Sequence, residues 1–301
     1  MKKPVFVGSA VAIVTPYRKE RIDFDKMAEL IEHQIAHKTA AIVVNGTTGE
    51  TSTQSIPEHL ANIEHVVHCV AGRVPVIAGT GSNDTKDAVT MSVHAERFGA
   101  DALLLVTPYY NKTSQKGLVA HFTEIADKVN IPVILYNVPS RTGLGFTADT
   151  YARLSTHPNI VGVKEASGDF TLIAKTRSVC PEDFCVWSGN DDQTVPIMSL
   201  GGKGVISVAA NIIPRVMADM TEHYLAGRVR EAADLQIRYF ELCNALFMDV
   251  NPIPVKTAMN ILGYDVGVLR MPLIDMEPPQ TEKLKAALRG AGLLPAQDSP
   301  C

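Results

Sequence analysis

The stretch IVGVKEASGDFTLIAKT, residues 160–176, contains the pattern that decides the fold. It begins as an apolar run, closes on Lys164, and continues through a polar turn into a segment that Asp169 can cap as a helix. A nearly continuous apolar run is typical of a parallel strand buried on both faces. The stretch therefore predicts one β-strand followed by one α-helix.

The same unit recurs along the chain. Eight short β-rich apolar runs each precede a segment with helical periodicity, and their starts lie 19 to 33 residues apart, close to the length of one βα unit. The predicted strands are Val11–Val14, Ala41–Asn45, Val74–Ala78, Ala102–Val106, Val133–Tyr136, Ile160–Lys164, Cys185–Ser188 and Gly204–Val208. Eight such units predict an α/β fold, a (β/α)₈ TIM barrel.

An open, doubly wound sheet is the rival interpretation. It usually has fewer strands, and Gly79-Thr80-Gly81 lacks the third glycine of a dinucleotide-binding turn. After the last strand the pattern turns helical, and Arg228–Val250, Pro254–Leu262 and Thr281–Gly290 are each predicted as one helix. We therefore expect a catalytic barrel over residues 1–227 and a C-terminal helical region over residues 228–301, ending in a polar, frayed stretch at 297–301.

Composition excludes several classes of function. The 301 residues are 46% hydrophobic and carry a net charge of −4, with no basic stripe for a nucleic-acid partner. No signal peptide or membrane-length apolar run is visible. The five cysteines form no CxxC pair, so we expect reduced thiols in a cytoplasmic protein. The sequence has no HExxH motif, so we expect no metal site.

A barrel places its active site at the carboxyl ends of its strands, and Lys164 ends the sixth. Burying an ammonium group is expensive, which favours the neutral amine that can attack a ketone and form an imine. The competing interpretation is a structural lysine paired with Glu165 or reaching solvent. The pair Asp191-Asp192 also follows a strand, but adjacent loop carboxylates are more often solvated or capping.

Three other strand ends carry four candidate groups. Tyr136 can act as a general acid/base or simply pack. The turn around Thr47 and Thr48 offers hydroxyl and backbone N–H groups that suit a carboxylate, although it can be an ordinary turn. Arg141 can bind a carboxylate with its guanidinium fork or form a surface salt bridge. The loop Tyr109-Tyr110 can supply phenols or pack at an interface.

Three motifs in combination are highly specific: Gly46-Thr47-Thr48-Gly49-Glu50, Tyr136 to Gly143, and Gly162-Val163-Lys164-Glu165-Ala166. With Gly8 to Pro16 and Asn251 to Lys256, they make the chain resemble the dihydrodipicolinate synthase/N-acetylneuraminate lyase family of class I aldolases over nearly its whole length. The threonine pair and Arg141 favour the synthase branch over the sialic-acid lyases and the keto-deoxy-sugar-acid aldolases. A catalytically inactive barrel that only binds a ligand is a weaker alternative, because the lysine and tyrosine are present.

The resemblance implies a reaction and a role for each residue. Pyruvate would form an imine with Lys164, with no other cofactor, and react with L-aspartate 4-semialdehyde in lysine (diaminopimelate) biosynthesis. Tyr136 would be the general acid/base. Thr47 and Tyr110 would complete a proton relay, with Tyr110 reaching in from a neighbouring subunit of a homotetramer. Thr48 would hold the pyruvate carboxylate and Arg141 that of the aldehyde, while Gly189 and Ile206 would line the pyruvate pocket.

The resemblance also implies a regulatory lysine site. The matching positions are Thr51, Ser52, Ile56, His59, Asn83, Asp87 and Tyr109. Ile56 stands where lysine-sensitive members carry a histidine, and Asp87 stands where a glutamate is usual. An aliphatic side chain cannot replace the polar contact, so we expect weak or absent inhibition by lysine.

Overall fold

A computed structural model describes residues 1–296, and the stretch 297–301 with its predicted fraying lies outside them. Eight parallel strands close into a barrel in the order of the chain, with the first strand hydrogen-bonded to both the second and the eighth. The strands are β1 Gly8–Ala12, β2 Ala41–Val44, β3 Val76–Gly79, β4 Ala102–Val106, β5 Val133–Asn137, β6 Ile160–Glu165, β7 Cys185–Ser188 and β8 Gly204–Ser207. The predicted TIM barrel is confirmed.

The seam between β1 and β8 depends on a glycine. A Cβ atom on Gly204 would lie 1.8 Å from the carbonyl oxygen of Gly8, and the φ of Gly204 is +141°. Neither the space nor the backbone conformation tolerates a side chain, so the barrel closes here because this residue has none.

Helices follow every strand and cover the outside of the barrel. They are α1 Phe24–Ala36, α2 Ile56–Val70, α3 Thr85–Phe98, α4 Gln115–Ala126, α5 Pro139–Thr142, α6 Ala148–Leu154, α7 Phe170–Val179, α8 Thr194–Ser199 and α9 Pro214–Leu225. The predicted cap of α7 is confirmed, because the Asp169 carboxylate accepts a hydrogen bond from the Leu172 N–H at 2.9 Å. Four C-terminal helices complete the described chain: α10 Val229–Arg238, α11 Phe240–Ala245, α12 Ile253–Ile261 and α13 Pro278–Gly290.

One element of the structure was not predicted, and one predicted helix is wrong. The chain between β1 and α1 forms a two-stranded ribbon, Tyr17–Arg18 with Arg21–Ile22, whose turn places Lys19 and Glu20 at positive φ. Lysine and glutamate are not the asparagine or glycine that usually mark such a turn, so the sequence carries no signal for it. The single helix expected over Arg228–Val250 is instead α10 and α11, which bend apart at Tyr239 and pack on different partners, α9 and α13.

The interior of the barrel is filled rather than open. One cluster of buried side chains, including Ala10, Val43, Ile134 and Trp187, occupies the space inside the strands. A second, larger cluster lies between strands and helices and includes Leu284 and Leu288 of α13, so the C-terminal helices share the core of the barrel. The division at residue 227 stays a prediction. No helix within residues 1–296 is long and apolar enough to cross a membrane.

Candidate active site

The carboxyl ends of β5, β6 and β7 bring two candidate side chains and a tryptophan to one level of the barrel. In the strand register, Tyr136 is paired with Lys164, and Lys164 is paired with Trp187. Side chains at the same level of neighbouring strands that face the same side lie next to one another. The filled interior below them leaves the mouth of the barrel as the place where a ligand can enter.

Lys164 is buried without an acidic partner. Only 5% of its surface is exposed, and its Nζ lies 4.3 Å from the centroid of the Tyr136 ring. No carboxylate within residues 1–296 lies at ion-pair distance from it. Lys164 is therefore not paired with Glu165, and its amine lies over an aromatic face.

The neighbouring Glu165 points away from Lys164. Its carboxylate accepts hydrogen bonds from the Asn137 Nδ2 at 2.9 and 3.1 Å, from the Tyr151 hydroxyl at 2.9 Å and from the Ser167 N–H at 2.9 Å. Burial raises the pKa of Glu165, and burial together with the Glu165 charge raises that of Tyr151. The cluster ties the ends of β5 and β6 together behind the two candidate catalytic side chains.

The residues after β7 and in β8 leave room for the lysine. The Gly189 N–H donates to the carbonyl oxygen of Glu165 at 2.7 Å, and a Cβ at Gly189 would lie 3.1 Å from the Lys164 Cε. Ile206 is fully buried in the cluster inside the barrel. Both residues predicted to line the pyruvate pocket therefore lie at this end of the barrel, with Gly189 in contact distance of the lysine side chain.

Asp191 is not a solvated loop acid. It is 1% exposed, and its Oδ2 accepts hydrogen bonds from the backbone N–H groups of Val208 at 3.0 Å and Ala209 at 2.8 Å. Burial raises the pKa of Asp191, and the charge of Lys164 is among the groups that lower it. The capping alternative is correct for this residue, which holds the turn that follows β8.

The two threonines lie in a single 3₁₀ turn, Thr47–Gly49, directly after β2. Thr48 is buried, and its Oγ1 accepts a hydrogen bond from the Asn251 Nδ2 at 3.1 Å. Arg141 is exposed on the short helix α5, and its Nη2 donates to the carbonyl oxygen of the same Asn251 at 3.2 Å. The structure therefore links the two predicted carboxylate-binding groups through one residue of the C-terminal region.

Tyr110 stands apart from this group within one chain. Its side chain is 91% exposed, and its φ of +68° is a conformation that L-residues rarely adopt. A strained, fully exposed tyrosine in a loop at the barrel mouth is poorly explained by packing in a monomer. The structure thus brings Lys164 and Tyr136 together and links Thr48 to Arg141 through Asn251, whereas Tyr110 contributes to neither group within one chain.

A cavity of about 360 Å³ adjoins the site. Thr47 and Arg141 line it together with most of the predicted lysine-site residues: Thr51, Ser52, Ile56, His59, Asp87 and Tyr109. Asn83 lines a different cavity of about 430 Å³, beside His121. Gln54, which the sequence did not single out, lines the first cavity and donates to the Gly49 carbonyl oxygen at 2.9 Å, which connects the cavity wall to the threonine turn.

The His59 ring is fully engaged by the protein. Its Nδ1 lies 2.9 Å from the Thr51 Oγ1, and its Nε2 lies 2.8 Å from the Gly79 carbonyl oxygen. Burial lowers the pKa of His59 to about 4, so the ring is neutral near pH 7. Over residues 1–296, no three His, Cys, Asp or Glu side chains are grouped closely enough to hold a metal ion.

The chain is similar to proteins named 4-hydroxy-tetrahydrodipicolinate synthase or dihydrodipicolinate synthase. The model of the Dihydrodipicolinate synthetase family matches residues 5–291. The 4-hydroxy-tetrahydrodipicolinate synthase of Thermoanaerobacter sp. (strain X514) is 56% identical over 97% of this chain and 98% of its own length.

Solved structures agree in fold. The dihydrodipicolinate synthase of Acinetobacter baumannii in complex with pyruvate has a TM-score of 0.93 and 42% identity, and the match covers 96% of this chain and 99% of that one. The enzyme of Cyanidioschyzon merolae with lysine bound has a TM-score of 0.94 and 40% identity, with 97% and 100% covered.

Proposed function

The chain belongs to the dihydrodipicolinate synthetase family and is a lyase of the 4-hydroxy-tetrahydrodipicolinate synthase type, and we propose that it works through an imine between pyruvate and Lys164. The observation that carries this proposal is the buried Lys164 amine, unpaired and 4.3 Å from the centre of the Tyr136 ring. An amine that no carboxylate holds in an ion pair is free to attack a ketone carbon and form an imine.

The proposed reaction uses two carbonyl compounds. The Lys164 amine attacks the keto carbon of pyruvate and water leaves, which gives a protonated imine. Loss of a methyl proton forms the enamine, whose carbon attacks the aldehyde of L-aspartate 4-semialdehyde. Ring closure through the amino group of the second substrate then displaces Lys164 and releases the heterocycle that feeds lysine (diaminopimelate) biosynthesis.

Each remaining site residue has a proposed role that fits its position. Tyr136 transfers protons as the general acid/base, because its ring already contacts the amine. Thr48 and the backbone of its turn hold the pyruvate carboxylate, and Arg141, exposed at the mouth, holds the carboxylate of the aldehyde. Gly189 and Ile206 shape the pyruvate pocket.

We further propose that a second subunit completes the proton relay. Thr47 lies in the turn beside the site, whereas Tyr110 points outward with 91% of its side chain exposed. Insertion of Tyr110 into a neighbouring subunit would bury an exposed aromatic and explain why the loop holds it at positive φ. This arrangement requires at least a dimer and is compatible with the expected homotetramer.

Reductive trapping tests the central step. The protein is incubated with pyruvate and borohydride, digested, and mapped for the reduced adduct, which we expect on Lys164. The chain contains its own control: Lys256 is also buried but is ion-paired, with its Nζ 2.7 Å from the Glu50 Oε1, and should carry no adduct. A folded protein without an adduct on Lys164 contradicts the proposal.

The aldehyde substrate needs a separate assay. We compare turnover of L-aspartate 4-semialdehyde with that of N-acetylmannosamine, each with pyruvate as the donor. Arg141 offers a cation to a small substrate with a carboxylate, whereas a polyhydroxylated sugar needs more hydroxyl partners. Preference for the sugar would assign the chain to the lyase branch of the resemblance.

A further inference from the structure

The most deeply buried ion pair in the described chain involves none of the residues to which a role has been given above. Lys256 on α12 and Glu50, which directly follows the threonine turn, lie 2.7 Å apart between Nζ and Oε1, with side-chain exposures of 1% and 0%. They are 206 positions apart in sequence, and both belong to motifs that the sequence singled out. The pair joins the C-terminal helices to the rim of the barrel.

Every hydrogen-bonding group of the pair is used. The Lys256 ammonium also donates to the carbonyl oxygens of Thr15 at 3.0 Å and Val268 at 2.6 Å, so its three donors reach three separate segments of the chain. The second carboxylate oxygen of Glu50 accepts the Arg270 N–H at 2.9 Å. This saturation gives the pair one well-defined geometry.

The backbone of Glu50 is the end of the turn that carries Thr47 and Thr48. Its φ is +55°, and its N–H donates to the Thr47 carbonyl oxygen at 3.1 Å. From the segment that carries Lys256, Asn251 donates to the Thr48 hydroxyl. The turn is therefore held at two points from the C-terminal region, once through a side chain of the turn and once through the residue that ends it.

A buried ion pair is a poor way to stabilise a fold. Removing two charges from water costs about as much as their attraction returns, and well-packed apolar residues often serve equally well or better. The pair instead fixes the positions of the segments that it joins, because charged hydrogen bonds hold atoms within narrower limits than apolar contacts do.

We propose that Lys256 is a positioning residue for pyruvate binding: through Glu50 it holds the Thr47–Thr48 turn where the hydroxyl and N–H groups meet the substrate carboxylate. The inference rests on the proposed function of that turn. Losing a well-formed hydrogen bond to the substrate carboxylate costs about 1.5–3 kcal/mol, which weakens binding by about one to two orders of magnitude. Lys256 itself touches neither substrate nor Lys164.

The test separates positioning from stability. In Lys256→Met the buried Glu50 loses its partner, and the melting temperature falls. In the double variant Glu50→Gln/Lys256→Met no buried charge remains and the acceptor for the Arg270 N–H is kept, so the melting temperature recovers. We expect the double variant still to show a KM for pyruvate raised about 10- to 100-fold, with kcat at saturating pyruvate within about threefold of the wild type.

Two further proteins complete the comparison. Glu50→Gln alone leaves one acceptor oxygen where the wild type uses two, so it cannot hold both the Lys256 ammonium and the Arg270 N–H, and it provides the same KM measurement if the double variant is poorly folded. Lys285→Met removes an exposed pair with Glu282 on α13, and its kinetics should match the wild type.

The outcomes are distinct. A double variant with both wild-type melting temperature and wild-type KM would show that the pair is only structural, and so would a Glu50→Gln variant with wild-type KM. If the wild-type protein itself forms no pyruvate adduct on Lys164, the proposed function fails and the inference with it. If the adduct forms and the KM values do not move, only the inference fails.

Discussion

Gly189→Ala tests the geometry around the proposed nucleophile most directly. The added Cβ would lie 2.7 Å from the Ala166 Cβ and 3.1 Å from the Lys164 Cε. Carbon atoms in contact are about 3.5–4.0 Å apart, so the backbone must move by about 1 Å or the lysine must leave its position. Overpacking of this kind costs about 1–3 kcal/mol of stability.

The expected kinetic effect is about as large in free energy as the effect on stability, since 100-fold in rate is about 2.7 kcal/mol. Displacing a reacting group by about 1 Å can reduce the rate by about 100-fold, because the amine no longer lies at the angle needed to attack the ketone. We expect the rate of borohydride-trapped adduct formation with pyruvate to fall by about that factor. The melting temperature should fall by only a few degrees, since about 1 kcal/mol corresponds to about 2–4 °C in a domain of 150–250 residues.

The matched control is another glycine-to-alanine change. Gly290 ends α13 at negative φ and has no heavy atom within 4 Å of an added Cβ, so Gly290→Ala should react at the wild-type rate. The assay measures adduct on Lys164 against time at several pyruvate concentrations, with melting curves for all three proteins. A Gly189→Ala protein that forms adduct within about twofold of the wild-type rate would refute the reasoning.

Three further predictions follow from the site and its cavity. Arg141→Ala should raise the KM for L-aspartate 4-semialdehyde by about 10- to 100-fold, since a hydrogen-bonded contact to a charged group is worth about 1.5–3 kcal/mol, and it should leave pyruvate trapping unchanged; slower trapping would contradict the assignment. The lowered pKa of His59 means that folding keeps the ring neutral, so its contribution to stability is complete above pH 6.5 and is lost as the pH falls towards 4. Between pH 7 and pH 5 the loss is about 2 kcal/mol, and urea unfolding of His59→Gln should show a pH dependence smaller by that amount, whereas an unchanged dependence would exclude the histidine. Titration with L-lysine should cause weak or no inhibition, because Ile56 offers the cavity no polar atom and both His59 nitrogens are engaged; a strong, saturable loss of activity would contradict this.

Most of the barrel could be predicted because each strand is marked by an apolar run of neighbouring residues. The run Ile160 to Lys164 is apolar over the length of one strand, and the observed strand β6 extends it by one residue, to Glu165. The ribbon after β1 could not be predicted, since Lys19 and Glu20 adopt positive φ without the residue types that favour it. The bend at Tyr239 depends on the different partners of α10 and α11, which periodicity within the segment does not reveal.

The site was predictable to a similar degree and for the same reason. Lys164, Tyr136 and the Thr47–Thr48 turn each stand at the end of an apolar run, and parallel strands in a barrel bring those ends together. The residues that hold these side chains in place do not stand at the ends of apolar runs. Asn251 and Gln54 look like ordinary polar residues in the sequence, and only the folded chain shows that they hydrogen-bond to Thr48 and Gly49.

The sequence by itself determined the order of strands and helices, and it predicted the end of the barrel where the site lies and the identity of the amine. Those features depend on hydrophobic periodicity and on side chains within a few positions of one another. Only the tertiary structure decided that Lys164 faces Tyr136 while Glu165 turns to Asn137, and that Lys256 is committed to Glu50. The reason is physical, because both lysines are buried and differ in the carboxylate that the closed barrel places beside them. Glu165, next to Lys164 in sequence, turns away from it, whereas Glu50, 206 positions from Lys256, lies against that lysine and forms an ion pair with it.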